Sequence, residues 1–255
     1  MTVGTIIYEQ PLNELIRVCL RLEQLFKQID HRLDDLSPVG TRHTVSSIIQ
    51  LLQLLDRPDL KAKLAKELGH HASVLTRLEN TPQIDKAKLQ QLLRQIDDLM
   101  RCFIDSSGKI GQNLRDVELL NNLRLHLATP GGGCSFDIPV YHYWLQLPDE
   151  KRKEMFKTWV NEFATIRTTA NLLLQLIREG TRTQDKNAEQ GFYQELLDPQ
   201  LNLRMIRVGV PPQYDAYPEI SVGRHFLSVR FYTPNIQERP TQFTGNLPFW
   251  LAYGN

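Results

Sequence analysis

The segment from Pro130 to Pro148 reads Pro-Gly-Gly-Gly-Cys-Ser-Phe-Asp-Ile-Pro-Val-Tyr-His-Tyr-Trp-Leu-Gln-Leu-Pro and holds the residue types from which active sites are built. Cys134 would be the nucleophile, His142 the base for its proton and Asp137 the orienting carboxylate of a cysteine-dependent hydrolase or transferase. The spacing argues against that chemistry. All three residues fall within nine positions, whereas catalytic partners usually converge from separate elements, and no local signature of the cysteine proteases surrounds Cys134. A metal site on the same residues lacks a Cys-x-x-Cys or His-x-x-x-His pair to complete it. The run Pro-Gly-Gly-Gly-Cys-Ser also lacks the Lys-Ser/Thr end of a phosphate-binding loop. A shaping role accounts for more of the segment: Pro130 halts a helix, the three glycines permit positive φ or close backbone approach, and Asp137 ahead of Pro139 suits a helix start. His142, beside Tyr141, Tyr143 and Trp144, is then a partly buried polar group or part of a contact surface. No catalytic residue, cofactor or metal ligand is assigned.

The elements that must carry this segment are helical before and after it. Leu12, Leu15, Cys19, Leu22, Phe26, Ile29, Leu33 and Leu36 alternate steps of three and four along Pro11 to Leu36, which lines one helix face with apolar groups. That seam packs against another helix, either within the chain or in a second subunit, and Cys19 on it is a buried, silent thiol. Helical periodicity continues over Thr44 to Leu55 and Asp59 to Leu78, and Thr81-Pro82 is expected to open a helix running to Phe103. Further helices are expected over Leu114 to Leu127, Val140 to Leu147, Asp149 to Phe163 and Ile166 to Arg178.

Past Gly180 the composition changes. Thr181 to Gly191 is polar and loop-like, and no lysine follows Lys186 although arginines continue. Leu201 to Val210, Phe226 to Tyr232 and Phe243 to Tyr253 read as strands in antiparallel pairing, bounded by Pro211-Pro212, Thr233-Pro234 and Gly245-Asn246. Three short strands bury little, so the N-terminal strand near Gly4 to Tyr8 is expected to join their sheet. The fold class is α+β: an α-helical domain over 10–198 and a small antiparallel β-strand domain, discontinuous over 1–9 and 199–255.

On the predicted strand around Arg230, alternation puts Arg224, Phe226, Ser228, Arg230 and Tyr232 on one face and His225, Leu227, Val229 and Phe231 on the other. An arginine-aromatic face suits an acidic, partly apolar peptide, and it equally suits simple solvation. Net charge is only +1, with 41% hydrophobic and 23% charged residues over 255 positions, which gives no global attraction to nucleic acid. No apolar run reaches the length of a membrane span and the N-terminus lacks a signal-peptide pattern, so the expected location is cytoplasmic, without direct membrane insertion. The three cysteines, Cys19, Cys102 and Cys134, are too few and scattered for a disulfide framework.

Several separated motifs occur in one order: Tyr8-Glu9-Gln10-Pro11-Leu12-Asn13-Glu14 with Arg17, Leu20-Arg21 and Glu23; Ile110-Gly111-Gln112 with Leu114-Arg115; Pro130-Gly131-Gly132, Cys134-Ser135-Phe136-Asp137, Pro139, His142, Trp144 and Leu147-Pro148; then Gly191-Phe192-Tyr193-Gln194, Tyr217-Pro218-Glu219-Ile220-Ser221 and Arg230-Phe231. In these the chain resembles the bacterial ZapD cell-division family along nearly its whole length. The resemblance implies a non-enzymatic cytoplasmic homodimer at the mid-cell division site. Such a dimer binds the C-terminal tail of the tubulin-like protein FtsZ, bundles its filaments, promotes Z-ring assembly and slows its GTP hydrolysis. It further implies a basic tail-binding surface drawn from Arg17, Arg21, Arg57, Arg115, His142, Arg224, His225 and Arg230.

Overall fold

The computed structural model describes residues 4–255 except 80, 83 and 199, and they form an α+β chain that divides into two compact units. One runs from Val18 to Leu173 and is helical; the other combines the chain up to Arg17 with everything from Leu174 onward and carries the strands.

Among the described residues the helices are α1 (Glu14–Arg32), α2 (Pro38–Leu54), α3 (Leu60–Thr76), α4 (Lys86–Asp105), α5 (Gln112–Arg115), α6 (Glu118–His126), α7 (Pro139–Leu145), α8 (Asp149–Asn161) and α9 (Ala164–Glu179). The seam expected on α1 is buried at Cys19, Leu22, Phe26 and Ile29. Ser37 caps α2, its hydroxyl accepting from the Gly40 amide at 3.1 Å, with Pro38 at the first helical position. The start expected for α4 is corrected: Thr81 donates its amide to Leu78 and so belongs to a turn after α3, while the Asp85 carboxylate accepts from the Lys88 amide and caps the helix. The helix expected over 114–127 is two helices, broken at Asp116 and Val117. An aromatic cluster holds the segment after the glycine loop in the helical core: Trp144 stacks on Trp159 at 5.9 Å and meets Phe156 edge-on at 5.6 Å.

The strands are β1 (Ile6–Pro11), β2 (Thr183–Ala188), β3 (Phe192–Leu196), β4 (Met205–Val210), β5 (Tyr217–Val222), β6 (Phe226–Thr233), β7 (Thr241–Gln242) and β8 (Leu247–Gly254). They form two antiparallel sheets: a first in the order β1-β4-β8-β2, and a second in the order β3-β6-β5 with β7 on β6. The N-terminal strand joins its sheet as expected, Ile6 opposite Val210 and Pro11 opposite Met205. The expectation of a loop over 181–191 is corrected by β2, whose polar residues lie on a sheet edge with only Ala188 buried. Pro218 hid β5 for a related reason, because an edge strand tolerates a missing amide donor. Ile206, Val208, Leu227, Val229, Phe231, Phe249 and Leu251 make one apolar core from the facing sides of both sheets, with Phe231 and Phe249 rings 5.1 Å apart. Glu9 ties β1 down, accepting from Arg178 at 2.7 and 2.8 Å and from Arg207 at 3.1 Å.

Candidate functional site

The glycine segment is a shaped corner. Gly131 and Gly133 take φ of +71° and +89°, which favours glycine, and a Cβ on Gly132 would lie 2.0 Å from the His126 carbonyl oxygen. The Asp137 carboxylate accepts from the amides of Gly133 and Cys134 at 3.2 and 3.3 Å. The helix start expected here is found, with Pro139 opening α7 and Ile138 flanking it, while Asp137 closes the loop behind. The Cys134 thiol donates to the Gly131 carbonyl at 3.2 Å. His142 is exposed and lines a different feature, a groove of about 700 Å³ with Asp34, Leu36, Pro38, Leu145 and Arg152. The Cys134 thiol, the Asp137 carboxylate and the His142 ring therefore face different partners: the Gly131 carbonyl, two backbone amides and the groove. No group of three or more His, Cys, Asp or Glu suited to hold a metal is found among the described residues.

The basic positions fall into small sets. Arg17 and Arg21 are exposed one turn apart on α1, with Arg17 paired to Glu14 at 3.0 Å. Arg115 lies 3.8 Å from Asp56 at the corner after α2, where Arg57 is the next residue in the chain. The Lys109 ammonium, 2.7 Å from Asp56, holds that carboxyl below the usual carboxylate range by its hydrogen bond, helped by the charges of Arg115 and Arg124. Arg115 is mostly buried there: it donates to the Leu52 carbonyl at the end of α2 at 2.8 Å, and its side chain is 13% exposed. Arg57 is half-buried, whereas Lys109 and Arg124 are exposed. Sequence reading missed those last two, although Lys109 directly precedes the Ile110-Gly111-Gln112 motif; no spacing rule joins 109 and 124 to Asp56 without the fold.

In the strand unit, Arg230 projects from the exposed face of β6, opposite Phe192 on β3 and Glu219 on β5, with its guanidinium over the Phe192 ring at 5.5 Å. Along the same face Ser228 lies between Gln194 and Ser221, and Phe226 opposite Leu196, both exposed. The expected alternation holds on β6, where Leu227, Val229 and Phe231 are fully buried. It fails for His225, which with Arg224 forms the tip of the tight β5–β6 turn closed by the Gly223 amide on the Phe226 carbonyl; both are exposed. The turn thus frees the imidazole that strand alternation would have buried. Arg224, His225 and Arg230 lie on one strand and its turn, so this face offers guanidinium and imidazole donors beside exposed apolar rings, a chemistry suited to a carboxylate-bearing chain with apolar side groups.

No helix among the described residues is long and apolar enough to cross a membrane. Comparison with known proteins agrees with the motif order. A family model named ZapD and described as a cell division protein matches residues 20–230. The cell division protein ZapD of Coxiella burnetii (strain RSA 493 / Nine Mile phase I) is 39% identical over 253 residues, covering 98% of each chain. That of Methylococcus capsulatus is 36% identical over 247 residues, 97% of each chain, and that of Azoarcus sp. (strain BH72) 33% identical over 246 residues, 96% of this chain and 98% of the relative. On a family match that spans most of its length and relatives that align from end to end, the chain belongs to the ZapD family of cell division proteins.

Proposed function

We infer that the protein is a cross-linker of FtsZ filaments: a cytoplasmic homodimer that receives the C-terminal tail of FtsZ on each subunit, bundles protofilaments, promotes Z-ring assembly at mid-cell and slows GTP hydrolysis by FtsZ. The observation that supports tail binding most directly is the outward face of β6, where Arg230 is held over Phe192 and flanked by exposed Phe226, Leu196 and the Arg224-His225 turn. Arginine positioned on an aromatic ring keeps its donors aimed outward at a small entropic cost, which suits recognition of carboxylates on a flexible chain. Arg17, Arg21, Arg57, Arg115 and His142 complete the basic set of the reading, with Arg115 acting through the corner that it braces. Each exposed contact contributes about 0.2–1 kcal/mol, so useful affinity needs several of them and two subunits. The test is fluorescence anisotropy with a labelled FtsZ tail peptide. Saturable binding that weakens as salt rises is the expected result; the absence of binding at low ionic strength would sink the tail mechanism.

A further inference from the structure

On the outward face of the second sheet, Glu219 of β5 stands directly opposite Arg230 of β6, and both are exposed. Opposite charges at such a position ordinarily bridge, because the Cβ atoms of an antiparallel pair are only about 5 Å apart. These two do not. The Arg230 guanidinium lies instead over the ring of Phe192, which belongs to β3 on the other side of β6. Among the described residues the Glu219 carboxylate has no hydrogen-bond or ion-pair partner. Nor does a third charge stand between them and solvent: their neighbours on the same face are Ser221 and Tyr217 along β5, Ser228 and Tyr232 along β6, and Gln194 along β3. Of the outward residues of these three strands only Glu219 and Arg230 are charged, and the sheet holds them side by side with both open to a ligand.

We propose that Glu219 is a specificity residue of this face: it takes a lysine or arginine of an extended peptide whose neighbouring carboxylate goes to Arg230, and Phe192 is the positioning residue that keeps the two charges apart. The proposal rests on the tail-binding reading given above and names the chemistry of the segment received, a carboxylate and a cation on alternate residues. A surface meant for carboxylates alone is weakened by an acidic group beside its arginine. A surface that must turn away merely acidic chains needs such a group, because discrimination comes from repulsion of the wrong partner as well as attraction of the right one. Spacing points the same way. Side chains on one face of an extended chain recur about every 7 Å, and the lean of Arg230 towards β3 carries its guanidinium away from Glu219, beyond the separation of about 5 Å between opposite Cβ atoms. Without the Phe192 ring the guanidinium would be free to close on Glu219, and each charge would then satisfy the other in place of a ligand.

Fluorescence anisotropy of the full chain tests this with three labelled probes: the FtsZ tail peptide, a designed strand-forming peptide with glutamate and lysine two positions apart, and the same peptide with glutamine in place of the lysine. Glu219→Gln is expected to weaken tail binding about two- to fivefold and Glu219→Lys about tenfold, both with unchanged thermal melts. A site for carboxylates alone gives the opposite sign, since loss of the acidic neighbour would tighten an acidic ligand. The wild type should prefer the glutamate-lysine peptide to its glutamine counterpart by a similar two- to fivefold factor, about that of one exposed charge pair, and Glu219→Gln should abolish the preference. Phe192→Leu should abolish it too, whereas Phe192→Tyr, which restores a ring, should keep it. Tail binding that is unchanged or tighter in Glu219→Gln, or equal binding of the two designed peptides, overturns the inference and leaves the tail reading standing. A Phe192→Leu variant that keeps the preference overturns the positioning role. A wild type that ignores the tail peptide yet selects the glutamate-lysine peptide through Glu219 upholds the specificity and removes the tail reading. A wild type that binds none of the three overturns both.

Discussion

Two arginines of the proposed basic set are expected to separate binding from bracing. Arg230 makes its recorded side-chain contact with one ring face and lies on exposed sheet, so Arg230→Glu should weaken tail-peptide binding by about 1–2 kcal/mol, roughly tenfold, and leave the melting temperature within a degree or two. Arg115 holds the end of α2 through the Leu52 carbonyl and sits 3.8 Å from Asp56. Arg115→Ala leaves both unanswered and should lower stability by about 1–3 kcal/mol in urea unfolding. Equal and purely affinity-changing effects at the two positions would contradict this division. The thiols separate just as clearly. Cys19 is fully buried, and burial, with the nearby Glu67 charge, pushes its thiol up to about 12, whereas Cys102 and Cys134 are exposed. Native protein should therefore show two fast thiols to a colorimetric disulfide reagent and a third only on unfolding. The sign of the pH effect follows from linkage: the unfolded chain ionises Cys19 near its ordinary value while the folded chain keeps it protonated. Stability should fall from about pH 9 upward by as much as ~1.4 kcal/mol per unit, and Cys19→Ala should flatten that slope. A native protein with three fast thiols would refute the buried assignment.

At the scale of elements, the glycine corner offers a paired comparison. A Cβ at Gly132 collides with the His126 carbonyl at 2.0 Å, so Gly132→Ala must displace backbone and should cost about 1–3 kcal/mol. Gly131 has nothing within 4 Å of its would-be Cβ and only its φ of +71° to lose, so Gly131→Ala should cost about 1 kcal/mol. Chemical denaturation of the two variants checks the order; a reversed order would show that the loop is held differently. Much of this architecture was legible in the residues. The α1 seam and the inward side of β6 follow from periodicity, because each buries one face against something, and burial writes a period into the sequence. Edges write none. The polar β2 and the proline-bearing β5 flank central strands, and one-sided pairing leaves their composition free. The site was legible to the same extent: Arg230 and Arg224 announce themselves beside aromatic residues on one strand, while Lys109 and Arg124 join Asp56 only because the fold brings three distant segments to one corner.

At the scale of the whole molecule, the cross-linker reading proposed above places function in valence more than in any single contact. Weak charged contacts of well under 2 kcal/mol each become a bridge when two subunits hold two tails at once, because the second engagement is effectively intramolecular. The same logic makes the activity salt-sensitive, since exposed pairs are screened over about 8 Å at physiological ionic strength. The most direct test is co-sedimentation of FtsZ filaments with the protein in the presence of GTP, comparing full-length FtsZ with FtsZ lacking its C-terminal tail. The expected result is that bundles pellet with full-length FtsZ, that GTP turnover falls in step, and that tailless filaments stay in the supernatant. Equal pelleting of tailless filaments, or no added pelleting of the full-length ones, would contradict the account.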